Sequence, residues 1–266
     1  TRVRDRRTPV VRSPEITVLS DAAQPDLVSG SERFSHGNEL DQDVFEITEN
    51  YTVPFGNHRI TIGTQNQFQK FRNLFPQSTF GVWRFESIDS LNNGLPNQYI
   101  IGVPLEPNGT GGVQPGGDGA VRFSGAMYSG YIQDEWTVSP RLNLSMGLRL
   151  DMPVFNDKPP ENAAFATAYG RSTSDISSGN IQWSPRVGFN WDATGDAVNQ
   201  LRGGIGLFTG RPAYVWLGNS FQNSGMGGVA LLTCSNAAVQ PFNNANIAAP
   251  PTQCSNGNTA ALGAEI

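Results

Sequence analysis

Charged side chains are scarce in this sequence: Asp, Glu, Lys and Arg make up 15% of its 266 residues, where a soluble globular protein uses about a quarter. The gap is filled by Gly, Asn, Ser, Thr and Gln, which are polar or small without carrying charge. Histidine occurs only at His36 and His58 and cysteine only at Cys234 and Cys254, which leaves little material for general-base catalysis or a zinc site. The net charge of −5 argues against a nucleic-acid partner, because phosphate binding needs a basic surface that releases counterions. One basic run exists, Arg2, Arg4, Arg6 and Arg7. It is interrupted by Asp5, has no aromatic residues between its arginines, and is expected to be a solvated loop. Long apolar runs are missing too: no stretch approaches the ~18 residues of a membrane helix, and no charged-then-apolar leader opens the sequence. Neither absence excludes a membrane. A barrel strand needs only ~10 residues and hides its apolar positions by alternation, and the missing leader is expected to reflect truncation.

Glycine and proline, by contrast, are plentiful at 30 and 18 residues, too frequent for long helices, so the chain is expected to be all-β with many turns. Period-two patterning supports this. In LNLSMGLRLD, Leu142, Leu144, Met146, Leu148 and Leu150 fall on one face and Asn143, Ser145, Gly147, Arg149 and Asp151 on the other. Soluble strands usually end after about 5 to 6 residues, whereas this alternation continues for the length of a tilted membrane strand. The pattern recurs where Phe45, Ile47, Tyr51 and Val53 alternate with Glu46, Thr48, Asn50 and Thr52, with Glu49 breaking the apolar face. It recurs again where Pro185, Val187, Phe189 and Trp191 oppose Arg186, Gly188 and Asn190, and where Leu201, Ile205 and Leu207 oppose Arg202, Gly204 and Gly206. Such polar faces suit a wet lumen; in a dry core each polar group would need its own partner. Glu46, Asn50, Asn143, Arg149, Asp151, Arg186, Asn190 and Arg202 are therefore expected to face a lumen.

Connection lengths add a second signal. PFGNH joins the Asp43–Val53 strand to one starting at Arg59, Ser139-Pro140 joins Val121–Val138 to the Leu142 strand, and DATGDAVN joins Ile181–Trp191 to the Leu201 strand. Between these hairpins lie stretches of roughly 48 and 28 residues, where connections in compact domains run about 4 to 6. Short turns on the periplasmic side and long loops outside produce this alternation. Aromatic placement adds a third signal: Tyr51, Trp136 and Trp191 sit near the short turns, and Tyr128 and Trp183 near the opposite ends of their strands, as two interfacial girdles would. The step from Trp183 to Trp191 is about 20 Å along the membrane normal at ~3.3 Å per residue and a ~40° tilt. Asp134 falls in the outward phase, against the pattern, but close to a short turn, where a lipid-facing carboxylate costs only ~0–1 kcal/mol.

YIQDEWTVSPRLNLSMGLRLD at 131–151, WSPRVGFNWD at 183–192 and LRGGIGLFTGRP at 201–212 resemble successive hairpins of TonB-dependent outer-membrane receptors, most closely the Oar-like branch, whose members carry a carboxypeptidase-regulatory-like domain before the plug. ITENYTVPFGNHRITIGTQNQF at 47–68 resembles an earlier hairpin of the same barrel, so the likeness covers about two-thirds of the chain. The resemblance implies a bacterial outer-membrane transporter that takes up a scarce solute, with energy from the TonB complex acting on a plug. The N-terminal TonB-contacting box, the plug and the terminal aromatic strand of the family have no counterpart here. Residues 1–266 are thus expected to be one partial transmembrane barrel domain: an open, curved antiparallel sheet of about six to nine strands with unpaired edges and long extracellular loops, in contact with outer-membrane lipid.

Catalytic readings are weak. No serine lies in a G-x-S-x-G elbow and His58 reads as a turn histidine beside Gly56 and Asn57. Gly204, Gly206 and Gly210, and GGDG at 116–119, lack the Lys-Ser/Thr pair and helix of a phosphate loop. Asp41 and Asp43 lack the spacing of a calcium site. No enzyme activity, cofactor or metal is expected. A secreted carbohydrate-binding sandwich, with Trp83, Trp183 and Trp216 as stacking platforms, is the competing reading, and strand length discriminates the two. Cys234 and Cys254 lie in the final long segment, which the alternation of turns and loops places outside, where an oxidising compartment permits a disulfide. That bond is expected to order a flexible loop.

Overall fold

The computed structural model describes residues 1–7, 9, 11–19, 25–108, 113–211 and 213–260. Its strands are β1 (Arg2–Arg7), β2 (Glu15–Val18), β3 (Leu27–Gly30), β4 (Asn38–Phe55), β5 (His58–Leu74), β6 (Val82–Phe85), β7 (Gln98–Pro107), β8 (Val113–Pro115), β9 (Ala120–Ser139), β10 (Leu142–Phe155), β11 (Gln182–Asp192), β12 (Gln200–Gly206) and β13 (Val229–Ser235). The described residues also form four short α-helices, α1 (Ile88–Asn92), α2 (Ala163–Tyr169), α3 (Tyr214–Gln222) and α4 (Asn244–Ala248), and two 3-10 turns at Arg33–Ser35 and Asn236–Ala238.

Seven strands form one antiparallel sheet in the order β1-β4-β5-β9-β10-β11-β12. The three anticipated hairpins are present. The first two are longer than their sequence patterns, with β4 and β5 running 18 and 17 residues and β9 20, while β11 and β12 keep the expected lengths of 11 and 7. Gly56 closes the β4–β5 turn at φ 59, a left-handed backbone that glycine adopts without a Cβ clash. Strand β1 was not anticipated. The arginine run read as a solvated loop pairs with β4, Arg2 opposite Asp43, Arg4 opposite Asp41 and Arg6 opposite Glu39. Arg4 Nη2 binds Asp43 at 2.8 Å and Arg6 Nη1 binds Asp41 at 2.5 Å, so alternating arginines meet alternating carboxylates across the strands. The same pairs occupy Asp41 and Asp43, the two carboxylates without calcium-site spacing.

A second sheet, in the order β13-β7-β6-β2-β3 with β8 beside β7, takes β6, β7, β8 and β13 from long stretches read as loops and β2 and β3 from the residues before the first hairpin. Its members are mostly three or four residues long, and β2 pairs with β6 in parallel across more than sixty residues of sequence. Its core contains Val18, Trp83, Phe85, Tyr99, Ile101, Val103, Leu232, Cys234 and Cys254, with Trp83, Phe85 and Tyr99 fully buried. The Cys234–Cys254 disulfide, with Cα atoms 5.5 Å apart, is therefore part of a packed core and does not tie a flexible loop. The bond itself was expected; its surroundings were not, because the loop's apolar residues are scattered among Asn, Gly and Pro. Burial also removes Trp83 as a stacking platform, and pushes the Tyr99 phenol pKa up.

Between the two sheets the chain is pinned by His36. The ring is 3% exposed; Nδ1 accepts from the Phe80 amide at 3.1 Å while Nε2 lies 3.0 Å from the Ser31 carbonyl. This bonding fixes the neutral tautomer with its proton on Nε2, and burial lowers the pKa from the usual histidine value.

Candidate functional site: the two faces of the long sheet

Register decides which side chains share a face. Tyr51 pairs with Ile62, Ile62 with Ile132, Ile132 with Leu148 and Leu148 with Pro185. Tyr51, Tyr128, Trp136, Trp183 and Trp191 all lie on this face, and so do Phe45, Ile47, Val53, Phe55, Phe68, Met146, Val187, Phe189, Leu201 and Ile205, each more than a third exposed. No neighbouring element among the described residues covers this surface. Along β4 it runs from Phe45 to Phe55, about 25 Å at ~3.3 Å per residue and a ~40° tilt, and then gives way to the charged rows of Asp43, Asp41 and Glu39. A contiguous exposed apolar surface of this size is not tolerated in water. It has the height of a barrel's lipid-facing band.

Two carboxylates interrupt the apolar face. Asp134 is met by His58, which begins β5 and is not a free turn residue; Nδ1 lies 2.7 Å from Oδ2 and the imidazole stacks on Trp136 at 5.1 Å. Glu49 lies on β4, whose edge beyond Val44 has no strand beside it among the described residues.

The opposite face is hollow and polar. A depression of about 1090 Å³ is lined by Thr52, Arg59, Glu135, Asn143, Asn190 and Arg202, among others. All eight residues expected to face a lumen, Glu46, Asn50, Asn143, Arg149, Asp151, Arg186, Asn190 and Arg202, lie on this side by register. Glu46, Asn50, Arg149, Asp151, Arg186, Asn190 and Arg202 hydrogen-bond across strands. Gln65 Nε2 donates to Glu46 at 2.8 Å, Arg149 donates to Gln65 at 3.1 Å and to Asp151 at 2.9 Å, and Ser129 donates to Asp151 at 2.6 Å. Tyr131 donates to Asn50, and its ring lies 5.5 Å beneath the Arg149 guanidinium. Glycines make the room: a Cβ on Gly63 would strike the Tyr131 ring, and one on Gly147 would come within 3.1 Å of Arg186 Nε.

Sequence reasoning missed how this hollow is closed at its far end. There the face turns apolar, with Phe71, Val121 and Phe123, and α3 packs across it through Phe221, Tyr214 and Leu217. Phe71 stacks on Tyr214 at 4.6 Å and Phe123 on Phe221 at 5.1 Å, and Gln222 anchors the helix by donating to the Phe75 carbonyl at 2.7 Å. The signal was available as apolar residues in the lumen phase of β5 and β9. Pro212, which ends one of the receptor-like motifs, lies outside the described residues.

An apolar convex face of membrane height, a polar hollow face and short turns alternating with long connections are the three marks of an outer-membrane barrel wall, and residues 7–266 match the outer membrane beta barrel domain family. The chain belongs to that family. Its place is the bacterial outer membrane, and the sheet is a segment of barrel wall. No curated protein and no solved structure matches the chain. Among the described residues no cluster of three or more His, Cys, Asp or Glu side chains could hold a metal.

Proposed function

We propose that this barrel wall belongs to a TonB-dependent receptor of the Oar-like branch, which imports a scarce solute and performs no hydrolysis. The observation that carries the proposal is the polar mesh on the hollow face. Glu46, Gln65, Arg149 and Asp151 bind one another across β4, β5, β9 and β10 and present their remaining polar groups inward, as a wall that contacts water, a plug or a passing solute would. The open edges point the same way. In hydrocarbon an unpaired backbone group costs several kcal/mol, so β4 beyond Val44 and the outer edge of β12, unpaired among the described residues, need further strands, and the barrel has more than seven. The second sheet and α3 then stand over the outer mouth, where a solute would first be met. The receptor motifs in β9 to β12 supply the family-level likeness. Energy would come from the TonB complex acting through a plug and an N-terminal box.

The reading is tested by passing the full-length protein, extracted from outer membranes, over the immobilised periplasmic domain of TonB. Retention, together with solute uptake that stops when the proton gradient is collapsed, supports it. A protein that is present in the membrane yet is neither retained nor energy-dependent contradicts it.

A further inference from the structure

Beneath α3, the far end of the hollow face keeps a cavity of about 260 Å³. Three rungs of β4 and β5 form its floor: Val44 pairs with Gln69, Gln42 with Phe71 and Leu40 with Asn73, and all six side chains line it. Tyr214 and Val215 of α3 cover it. Val215 and Arg211 line the cavity and are exposed, so it is open to solvent on that side. The Phe71 ring is stacked against both Phe123 at 5.0 Å and Tyr214 at 4.6 Å. These rings engage one another and form apolar walls; they do not offer a bare flat platform to a sugar.

Two carboxamides in the floor are more than nine-tenths buried, Gln69 at 4% and Asn73 at 6% exposure, and neither is satisfied. Glu46 fixes the orientation of the first. Its carboxylate accepts from Gln67 Nε2, which leaves Gln67 Oε1 to accept from Gln69 Nε2 at 3.2 Å. The other polar atom of that side chain, Gln69 Oε1, is buried without a hydrogen-bond partner among the described residues. The Asn73 side chain makes no hydrogen bond among the described residues either. Buried amides are normally paired, and leaving one unpaired is costly. A ligand that brings the missing partners removes that cost.

We infer that this cavity takes one bulky apolar side chain of an extended peptide, with Gln69 Oε1 accepting from a peptide N–H and Asn73 holding a second peptide group. A peptide group both donates and accepts, as a carboxamide does. Gln69 and Asn73 stand four residues apart on one strand, about 13 Å at ~3.3 Å per residue, which an extended peptide of similar length spans. The volume is close to the lower limit of roughly 300 Å³ for ligand clefts, enough for a single side chain with its flanking peptide groups. Arg211 is the only charged side chain lining the cavity, which disfavours a multiply charged solute. This inference rests on the import reading, in which the peptide is the solute, and not on the source of the energy.

The test uses the folded full-length protein in detergent and a fluorescein-labelled pentapeptide amide, Gly-Gly-Leu-Gly-Gly, with binding read by anisotropy. Saturable binding is expected, at least tenfold tighter than that of the same dye on five glycines. Replacing the leucine N–H by an ester oxygen, which alters nothing in the protein, should weaken binding at least fivefold, and Q69M/N73L should do the same. V44F, which fills the cavity and keeps both amides, should abolish binding. W216A, at an exposed position of α3 outside the cavity lining, should leave binding unchanged, and a glucose oligosaccharide should not displace the peptide. The assignment is overturned by absence of saturable binding, as when a plug segment already fills the cavity, or by equal binding of the glycine peptide or of the ester. Undiminished binding in Q69M/N73L or V44F, loss in W216A, or displacement by the oligosaccharide would overturn it too. TonB is absent from the assay, so failure of the receptor reading is seen separately, in the retention experiment.

Discussion

His58 and Asp134 meet on the convex, lipid-facing side of the sheet, Nδ1 to Oδ2 at 2.7 Å, where an isolated carboxylate would have no partner. The other Asp134 oxygen is buried and has no hydrogen-bond partner among the described residues. Replacing His58 by Ala should therefore destabilise the folded protein, but only by about 1 kcal/mol, since the pair is partly exposed and close to the interface. H58A/D134L should regain that loss, because no carboxylate is then left on the apolar face. Urea titration of the full-length protein in phospholipid vesicles measures both, and a double variant less stable than H58A would contradict the account.

The disulfide should stabilise the second sheet and leave the barrel wall alone. Cys234 and Cys254 close a loop of 20 residues, worth about 3 kcal/mol in the chain-entropy model, and they sit in the core formed with Trp83, Phe85 and Tyr99. In C234S/C254S, limited proteolysis of whole cells should cut within residues 82–107 and 229–254. The barrel's resistance to detergent unfolding should not change.

Acid should loosen the link between the sheets through His36. Its folded-state pKa is lowered by burial, so between that value and the unfolded value of about 6.5 the unfolded chain binds more protons. Stability is then fully present above the unfolded pKa and is lost as pH falls through the folded one. Protonation would put a hydrogen on Nδ1, which accepts from the Phe80 amide. Protection of the Phe80 amide against hydrogen exchange, relative to its intrinsic rate at each pH, should fall as pH drops below the unfolded value of about 6.5, and H36Q should abolish that pH dependence. A Phe80 amide whose protection does not change with pH would count against the assignment.

The long sheet was legible in sequence because its two faces see different solvents. LNLSMGLRLD alternates since Leu144 and Leu148 must meet lipid while Asn143 and Arg149 must not, and register leaves no freedom once one residue is placed. The second sheet was illegible for the opposite reason. Its strands are short, β2 finds β6 only across about a quarter of the chain, and Trp83 and Phe85 carry no alternation long enough to separate them from loop. Strand β1 failed for want of its partner: an arginine run looks solvated until Glu39, Asp41 and Asp43 are set opposite. The polar residues on the hollow face were assigned one by one, but the hydrogen bonds that link Glu46, Gln65, Arg149 and Asp151 appear only when the strands are aligned.

Contact between the convex face and lipid is tested most directly by tryptophan quenching in vesicles. Single-tryptophan forms of the full-length protein, keeping Trp183, Trp191 or Trp83, are reconstituted with lipids brominated along their acyl chains. Trp183 and Trp191, 59% and 43% exposed on the apolar face, should be quenched by the bromolipid and shielded from aqueous iodide, while Trp83, buried in the second sheet, should respond to neither. Quenching of Trp183 and Trp191 by iodide, with no effect of the brominated chains, would contradict it.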